Sequence, residues 1–121
     1  RVNNKPFVKV WGTGEAYREF LFVDDLAEGL VFLMNNYNDP KPINIGSSHE
    51  IQIKTLAIEI ADLIGFKGDI IFDSNMPEGV MRKYLDSSRL QRMGWKAKTD
   101  IKTGLMRTIE NFKKMESKNN E

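Results

Sequence analysis

Short apolar runs closed by Gly or Pro alternate along this chain with longer stretches whose apolar residues recur at helical spacing. A chain patterned in that way folds as α/β or α+β. Pro6 precedes a β-rich run at residues 7–11, and Gly12-Thr13-Gly14 then turns the chain. Residues 19–23 form a second aromatic-rich run with strand character. Asp25 is placed to N-cap a helix with a stripe of Leu26, Ala27, Leu30, Val31, Leu33 and Met34. Asp39-Pro40-Lys41-Pro42 stops that helix near Tyr37. Residues 43–45 read as a short strand closed by Gly46-Ser47-Ser48. A second helix buries Ile53, Leu56, Ala57, Ile60, Leu63 and Ile64 and ends at Gly65. Residues 70–72 are a further strand, residues 82–86 alternate weakly, and Ser87 or Ser88 caps a short helix ending at Gly94-Trp95. The last helix shows Ile101, Leu105, Ile109 and Phe112 on one face.

Composition narrows what such a fold does. The 121 residues suffice for one modest domain. Eighteen basic residues against 17 acidic ones leave a net charge of +1, without the basic excess of a nucleic-acid binder. There is no Cys, so disulfides, thiolate metal sites and thiol nucleophiles are excluded, and the single His49 cannot build a zinc site. No apolar run approaches the roughly 18 residues of a membrane span. The opening Arg-Val-Asn-Asn-Lys carries no Met and no signal-peptide h-region, which leads us to expect a piece of a longer cytoplasmic protein.

Three familiar patterns fail on inspection. Gly12-x-Gly14 lacks the third glycine and the following helix of a dinucleotide fingerprint, so it reads as a tight turn. Tyr37-x-x-x-Lys41 has the spacing of a catalytic pair, but Pro40 breaks the helix on which residues four apart would face each other. His49 lies among polar loop residues without a patterned partner. A sparser set remains: Trp11, Arg18, Glu78, Arg82 and Lys83. A guanidinium between a turn and a strand can grip a phosphate bidentately, and Trp11 beside a glycine turn can offer a ligand its face or its N–H. Arg82-Lys83 doubles the positive charge on a turn-rich loop. On residue chemistry alone, the same five also read as ordinary surface, with Trp11 in the core.

The ordered string Val10-Trp-Gly-Thr-Gly14, then Arg18-Glu-Phe-Leu-Phe-Val-Asp-Asp-Leu-Ala27, resembles the carboxy-terminal part of extended short-chain dehydrogenase/reductases that act on nucleotide sugars. Within it, Arg18, Phe20, Val23 and Asp25 match a string shared among sugar-nucleotide epimerases and dehydratases. A longer series resembles the GDP-L-fucose synthase family, the GDP-4-keto-6-deoxymannose epimerase/reductases. It runs Ile43-Asn-Ile-Gly46, Gly65-Phe-Lys-Gly68, Phe72-Asp73, Pro77-Glu-Gly79, Arg82-Lys-Tyr-Leu-Asp86, Ser88-Arg-Leu90 and Gly94-Trp95.

The resemblance implies an α/β, partly α+β-like, substrate-binding portion of a Rossmann-type NAD(P) enzyme whose nucleotide-binding half lies outside the chain. Residues 1–115 are thereby assigned to nucleotide-sugar binding, while residues 116–121, which hold no apolar side chain, are expected to fray as a disordered tail. Trp11 and Arg18 match substrate contacts, Lys83 beside Arg82 matches a basic position near the diphosphate, and Glu78 stands where the family usually has Asp. Val80-Met81 replaces Thr-Pro, and Gln52-x-x-Thr55 replaces the Thr-x-x-Glu capping pattern. The parent enzyme would take NADP, bound elsewhere, and would supply its catalytic residues from that missing half. The implied partners are a GDP-sugar, that half and a second copy in a homodimer, with no nucleic acid and no membrane. Two rival readings are a sibling epimerase or dehydratase using UDP or dTDP sugars, and a non-catalytic nucleotide-sugar-binding module.

Overall fold

The computed structural model describes residues 6–118, arranged as five strands and four helices. Strand β1 (Phe7–Trp11) pairs in parallel with β4 (Asp69–Asp73), from Phe7 opposite Asp69 to Trp11 opposite Asp73. A second sheet has the order β3-β2-β5. Its central strand β2 (Tyr17–Glu19) runs antiparallel to β3 (Glu50–Gln52) and parallel to β5 (Arg82–Lys83). Helix α1 (Val23–Asn36) follows β2, α2 (Ile53–Ile64) follows β3 directly, α3 (Ser88–Arg92) is short, and α4 (Ile101–Lys118) is the longest. The mixed α/β class expected from the alternation is what forms.

Several local expectations are corrected. The run at residues 19–23 is not a strand: pairing covers Tyr17–Glu19 and then stops. Phe22 instead turns toward α4, where its ring lies 3.4 Å from the Cβ position of Gly104 and under the Arg107 guanidinium. Asp25 is not the N-cap. The helix starts at Val23 after Phe22, which makes no side-chain cap, and Asp25 is spent on a tertiary contact from the first turn. An acid in that turn still complements the helix dipole. Residues 43–45 form no strand, because Ile45 packs inward over Gly29 beside Trp95. Neither Ser87 nor Ser88 caps α3 through its hydroxyl; Asp86 Oδ1 accepts the Ser88 N–H at 2.9 Å, and Ser87 Oγ is buried without a partner.

Other expectations hold. Helix α1 ends at Tyr37, whose extended backbone precedes the Pro-rich segment. Gly65 closes α2 in the left-handed conformation with its N–H on Ala61 and Asp62. Gln52 makes no side-chain cap for α2, as the lost capping pattern implies. Helix α4 continues through Lys118, so residues 116–118 of the expected tail are helical, and residues 119–121 lie outside the described ones.

The fully shielded apolar core is small among the described residues: Ala16, Leu90 and Trp95. Its polar counterpart is Asp25, 6% exposed. The carboxylate accepts the Lys98 N–H at 2.9 Å, the Thr99 N–H at 2.8 Å and the Thr99 hydroxyl at 2.8 Å, fastening α1 to the approach of α4. Burial by itself pushes this carboxyl up. The Thr99 and Lys98 hydrogen bonds, with the nearby Lys98 charge, outweigh it and hold the group below its ordinary value. Asp100 then caps α4, receiving the Thr103 N–H at 2.9 Å and the Thr103 hydroxyl at 2.7 Å.

Candidate functional site

The edge formed by β2 and β5 presents the basic residues. Arg18 pairs with Lys83 and Tyr17 with Arg82, and paired residues share a face of the sheet. Arg18 and Lys83 therefore stand on one face and Arg82 on the other. The Arg82 guanidinium is paired with a carboxylate there: its Nε lies 2.9 and 2.8 Å from the two Glu50 oxygens, and its Nη2 is 2.5 Å from Oε2. That ion pair raises the Arg82 pKa and lowers that of Glu50. The Tyr84 ring lies 5.4 Å from the Arg82 guanidinium. Lys83, its neighbour in sequence, is exposed and has no side-chain partner among the described residues.

Arg18 is half-buried and only partly used. Nη1 donates to the Tyr17 carbonyl at 2.7 Å and Nη2 to the Glu78 carbonyl at 3.4 Å. Two of the five guanidinium N–H donors are thus engaged, and three stay without a protein partner among the described residues. Two backbone carbonyls hold the group in place without neutralising its charge.

The turn that receives Arg18 also locks the end of β1. Glu78 accepts the Thr13 hydroxyl on both carboxylate oxygens, at 2.7 and 2.9 Å. That bond, aided by the N–H groups of Thr13, Ala16 and Glu15, keeps its carboxyl below the ordinary value against the opposing effect of desolvation. Gly12 has φ +81°, and a Cβ there would lie 2.8 Å from Glu78 Cβ, so only glycine lets the two turns meet. Trp11, immediately before, is 63% exposed with its indole turned to no protein partner among the described residues. The structure thus gathers Trp11, Arg18 and Glu78 around one pair of turns and sets Lys83 on the Arg18 face. It sends Arg82 to the opposite face, and it commits the Glu78 carboxylate to Thr13.

Sequence reasoning missed Thr13, Glu50 and Glu19. Glu50 carries no local signal, because its bond to Arg82 spans 32 residues. Glu19 stands inside the Arg-Glu-Phe string, which marks the position without revealing what the carboxylate touches. The rejected patterns behave as argued: Tyr37 donates its hydroxyl to the Lys41 carbonyl at 2.6 Å from beyond the helix end, and His49 Nδ1 lies 2.9 Å from the Ser47 carbonyl in an exposed loop. Concavities of about 260 and 360 Å³ lie elsewhere, around Phe20 and the start of α4. The Arg18–Lys83 face is an open edge. No group of three or more acidic, His or Cys side chains that could hold a metal occurs among the described residues, and no helix there is long and apolar enough to cross a membrane.

This β-rich edge sets a half-used guanidinium beside an ammonium that has no partner among the described residues, so it carries uncompensated positive charge. Residues 1–46 match the family model described as the NAD dependent epimerase/dehydratase family. Among its relatives, a probable GDP-L-fucose synthase 1 of Oryza sativa subsp. japonica is 46% identical over 110 residues, covering 91% of this chain and 34% of the relative. A GDP-L-fucose synthetase structure from Naegleria fowleri bound to NADP superposes with a TM-score of 0.84 at 27% identity, covering 89% of this chain and 35% of that one. A GDP-6-OMe-4-keto-L-xylo-heptose reductase structure from C. jejuni has a TM-score of 0.82 at 33% identity, covering 90% and 34%. The chain spans about a third of the length of the relatives it matches.

Proposed function

We propose that this chain is the nucleotide-sugar-holding, carboxy-terminal part of a GDP-L-fucose synthase. In that reaction GDP-4-dehydro-6-deoxy-D-mannose exchanges protons at C3 and C5 beside the keto group. NADPH, held outside this chain, would supply the hydride that reduces C4, with a proton going to the C4 oxygen. The observation that carries the reading is the Arg18–Lys83 face, where three guanidinium donors and an ammonium stand without a partner among the described residues. A diphosphate offers the acceptors and the charge that this face lacks. Trp11 supplies a flat, exposed surface next to it. Glu78 acts by holding the Gly12 turn, and Arg82 by holding Glu50, rather than by touching the ligand. Binding energy gathered here from the nucleotide end serves chemistry at the distant sugar.

NADP does not fit the glycines of this chain. The Gly12-Thr13-Gly14 turn packs against Glu78 and Phe72 and leads into β2, not into a helix whose first N–H groups could cradle phosphate. The cofactor and the catalytic residues are accordingly assigned outside the chain, and the enzyme to the cytoplasm. A calorimetric titration of the full-length protein with GDP and with UDP tests the reading. Tighter binding of GDP, lost with Arg18→Ala, is expected; equal binding of both, or none of either, overturns it in favour of a sibling enzyme or another role.

The homodimer is proposed through α1. Its outward stripe is Val23, Ala27, Leu30, Val31 and Met34, the last 83% exposed, whereas Leu26 and Leu33 turn partly inward. Residues 43–45 do not join it as a strand. Such a stripe favours association of the isolated chain. Light scattering over a dilution series is expected to show a mass above 13.9 kDa at high concentration. A monodisperse monomer throughout would remove the proposal.

A further inference from the structure

The parallel pairing that carries Lys83 beside Arg18 is only two residues long. A two-residue ladder at a sheet edge does little by itself to fix the spacing of two long basic side chains. One side chain supplies the missing constraint. The Glu19 carboxylate, next in sequence to Arg18, accepts the Leu85 N–H on Oε2 at 2.9 Å, just beyond Lys83. Its other oxygen accepts the Ser48 N–H at 2.5 Å, with the Ser47 hydroxyl at 3.5 Å. Ser48 sits at φ +62°, an uncommon conformation for a residue other than glycine, in the turn that leads to Glu50 and β3. The space is made to measure: a Cβ on Gly46 would lie 2.5 Å from Glu19 Oε1. Both oxygens are therefore filled by backbone N–H groups from two segments that flank β2.

We infer that Glu19 is a positioning residue for anion binding, its carboxylate setting the separation of Arg18 and Lys83 by tying β2 to the chain on either side. The inference rests on the reading of that face as the diphosphate grip. Chemistry requires a carboxylate here. An amide would set its NH₂ against either the Ser48 or the Leu85 N–H, donor facing donor.

The test is a coupling measurement in the full-length protein with GDP as the titrant. Glu19→Gln is expected to weaken GDP binding about tenfold, the scale of one charge-assisted hydrogen bond lost from a binding geometry. In a Lys83→Ala background the same change should cost less than about twofold, because spacing is immaterial once a single grip remains. A purely structural role predicts the full tenfold loss in both backgrounds and would overturn the inference. Wild-type affinity in Glu19→Gln would do the same. If Lys83→Ala and Arg18→Ala both leave GDP affinity untouched, the reading of the site itself falls, and the inference with it. Should Glu19→Gln not fold, Gly46→Ala displaces the same carboxylate without removing it. Weakened GDP binding is expected there too, and unchanged binding would count against Glu19.

Discussion

At the foot of α1 the Asp25 carboxylate receives three hydrogen bonds in a dry environment, while on the β2–β5 edge Arg18 keeps three donors open and Lys83 engages nothing among the described residues. The leading charged residue of each, Arg18 and Asp25, comes from one short stretch of sequence. They differ in where the counter-groups come from. A carboxylate removed from water has to find its donors within the protein, since an unmet buried charge is costly. A guanidinium at an open edge can leave donors to solvent until an anion arrives. The buried carboxylate is satisfied within the fold, whereas the edge guanidinium keeps three donors without a partner among the described residues. Arg82 and Lys83 show the same contrast side by side, the first neutralised by Glu50 and the second without a counter-charge among the described residues.

The comparison breaks most visibly at Asp25. Asp25→Ala should lower stability by on the order of 3 kcal/mol, because it strands the Lys98 and Thr99 donors. Urea denaturation reads the loss, and GDP affinity of the protein that remains folded should be unaltered. A stability change below about 1 kcal/mol would show that the contact is dispensable. Arg18→Ala should do the reverse. GDP affinity falls roughly 10- to 100-fold, as for a lost charge-assisted contact, with stability within about 0.5 kcal/mol of the parent.

Smaller effects sharpen the contrast. Lys83→Ala should weaken GDP binding by about three- to tenfold, since an ammonium is less directional than a guanidinium. Arg82→Ala should weaken it less than Lys83→Ala, and a larger loss would place Arg82 in the binding face after all. The weakest signal is acid sensitivity. Asp25 titrates below its ordinary 3.8 in the folded protein, so its stabilisation is present above that value and disappears as pH falls through the lower folded one. Glu50, Glu78 and other carboxylates are shifted in the same direction. The informative quantity is therefore the difference between parent and Asp25→Asn. That difference in urea midpoint should be largest near neutral pH and shrink below pH 3.8. A difference that grows in acid would contradict the sign.

Much of the architecture is legible from local pattern. Helices α1, α2 and α4 announce themselves through apolar periodicity and their stops, as at Tyr37 and Gly65, because helical bonds close within four residues and side-chain rows repeat with them. Strands β1 and β4 are visible as β-branched and aromatic runs. The chemical types at the candidate site were visible too, since Arg18, Lys83 and Trp11 stand in a recognisable order.

Long-range pairing accounts for everything else. Strand β3 carries no pattern of its own and the two-residue β5 only the start of a weak alternation; both exist because β2 lies between them. Asp25 has the composition of a cap, and only the approach of residues 98 and 99 from the far end of the chain turns it into a tertiary anchor. The sequence by itself determined the helices and the inventory of basic, acidic and aromatic groups, because those depend on neighbours a few bonds away. Which cation is neutralised and which is left open was decided by the tertiary structure alone. Sheet register puts Arg82 on the face of Glu50 and Lys83 on that of Arg18, and register joins residues more than thirty positions apart.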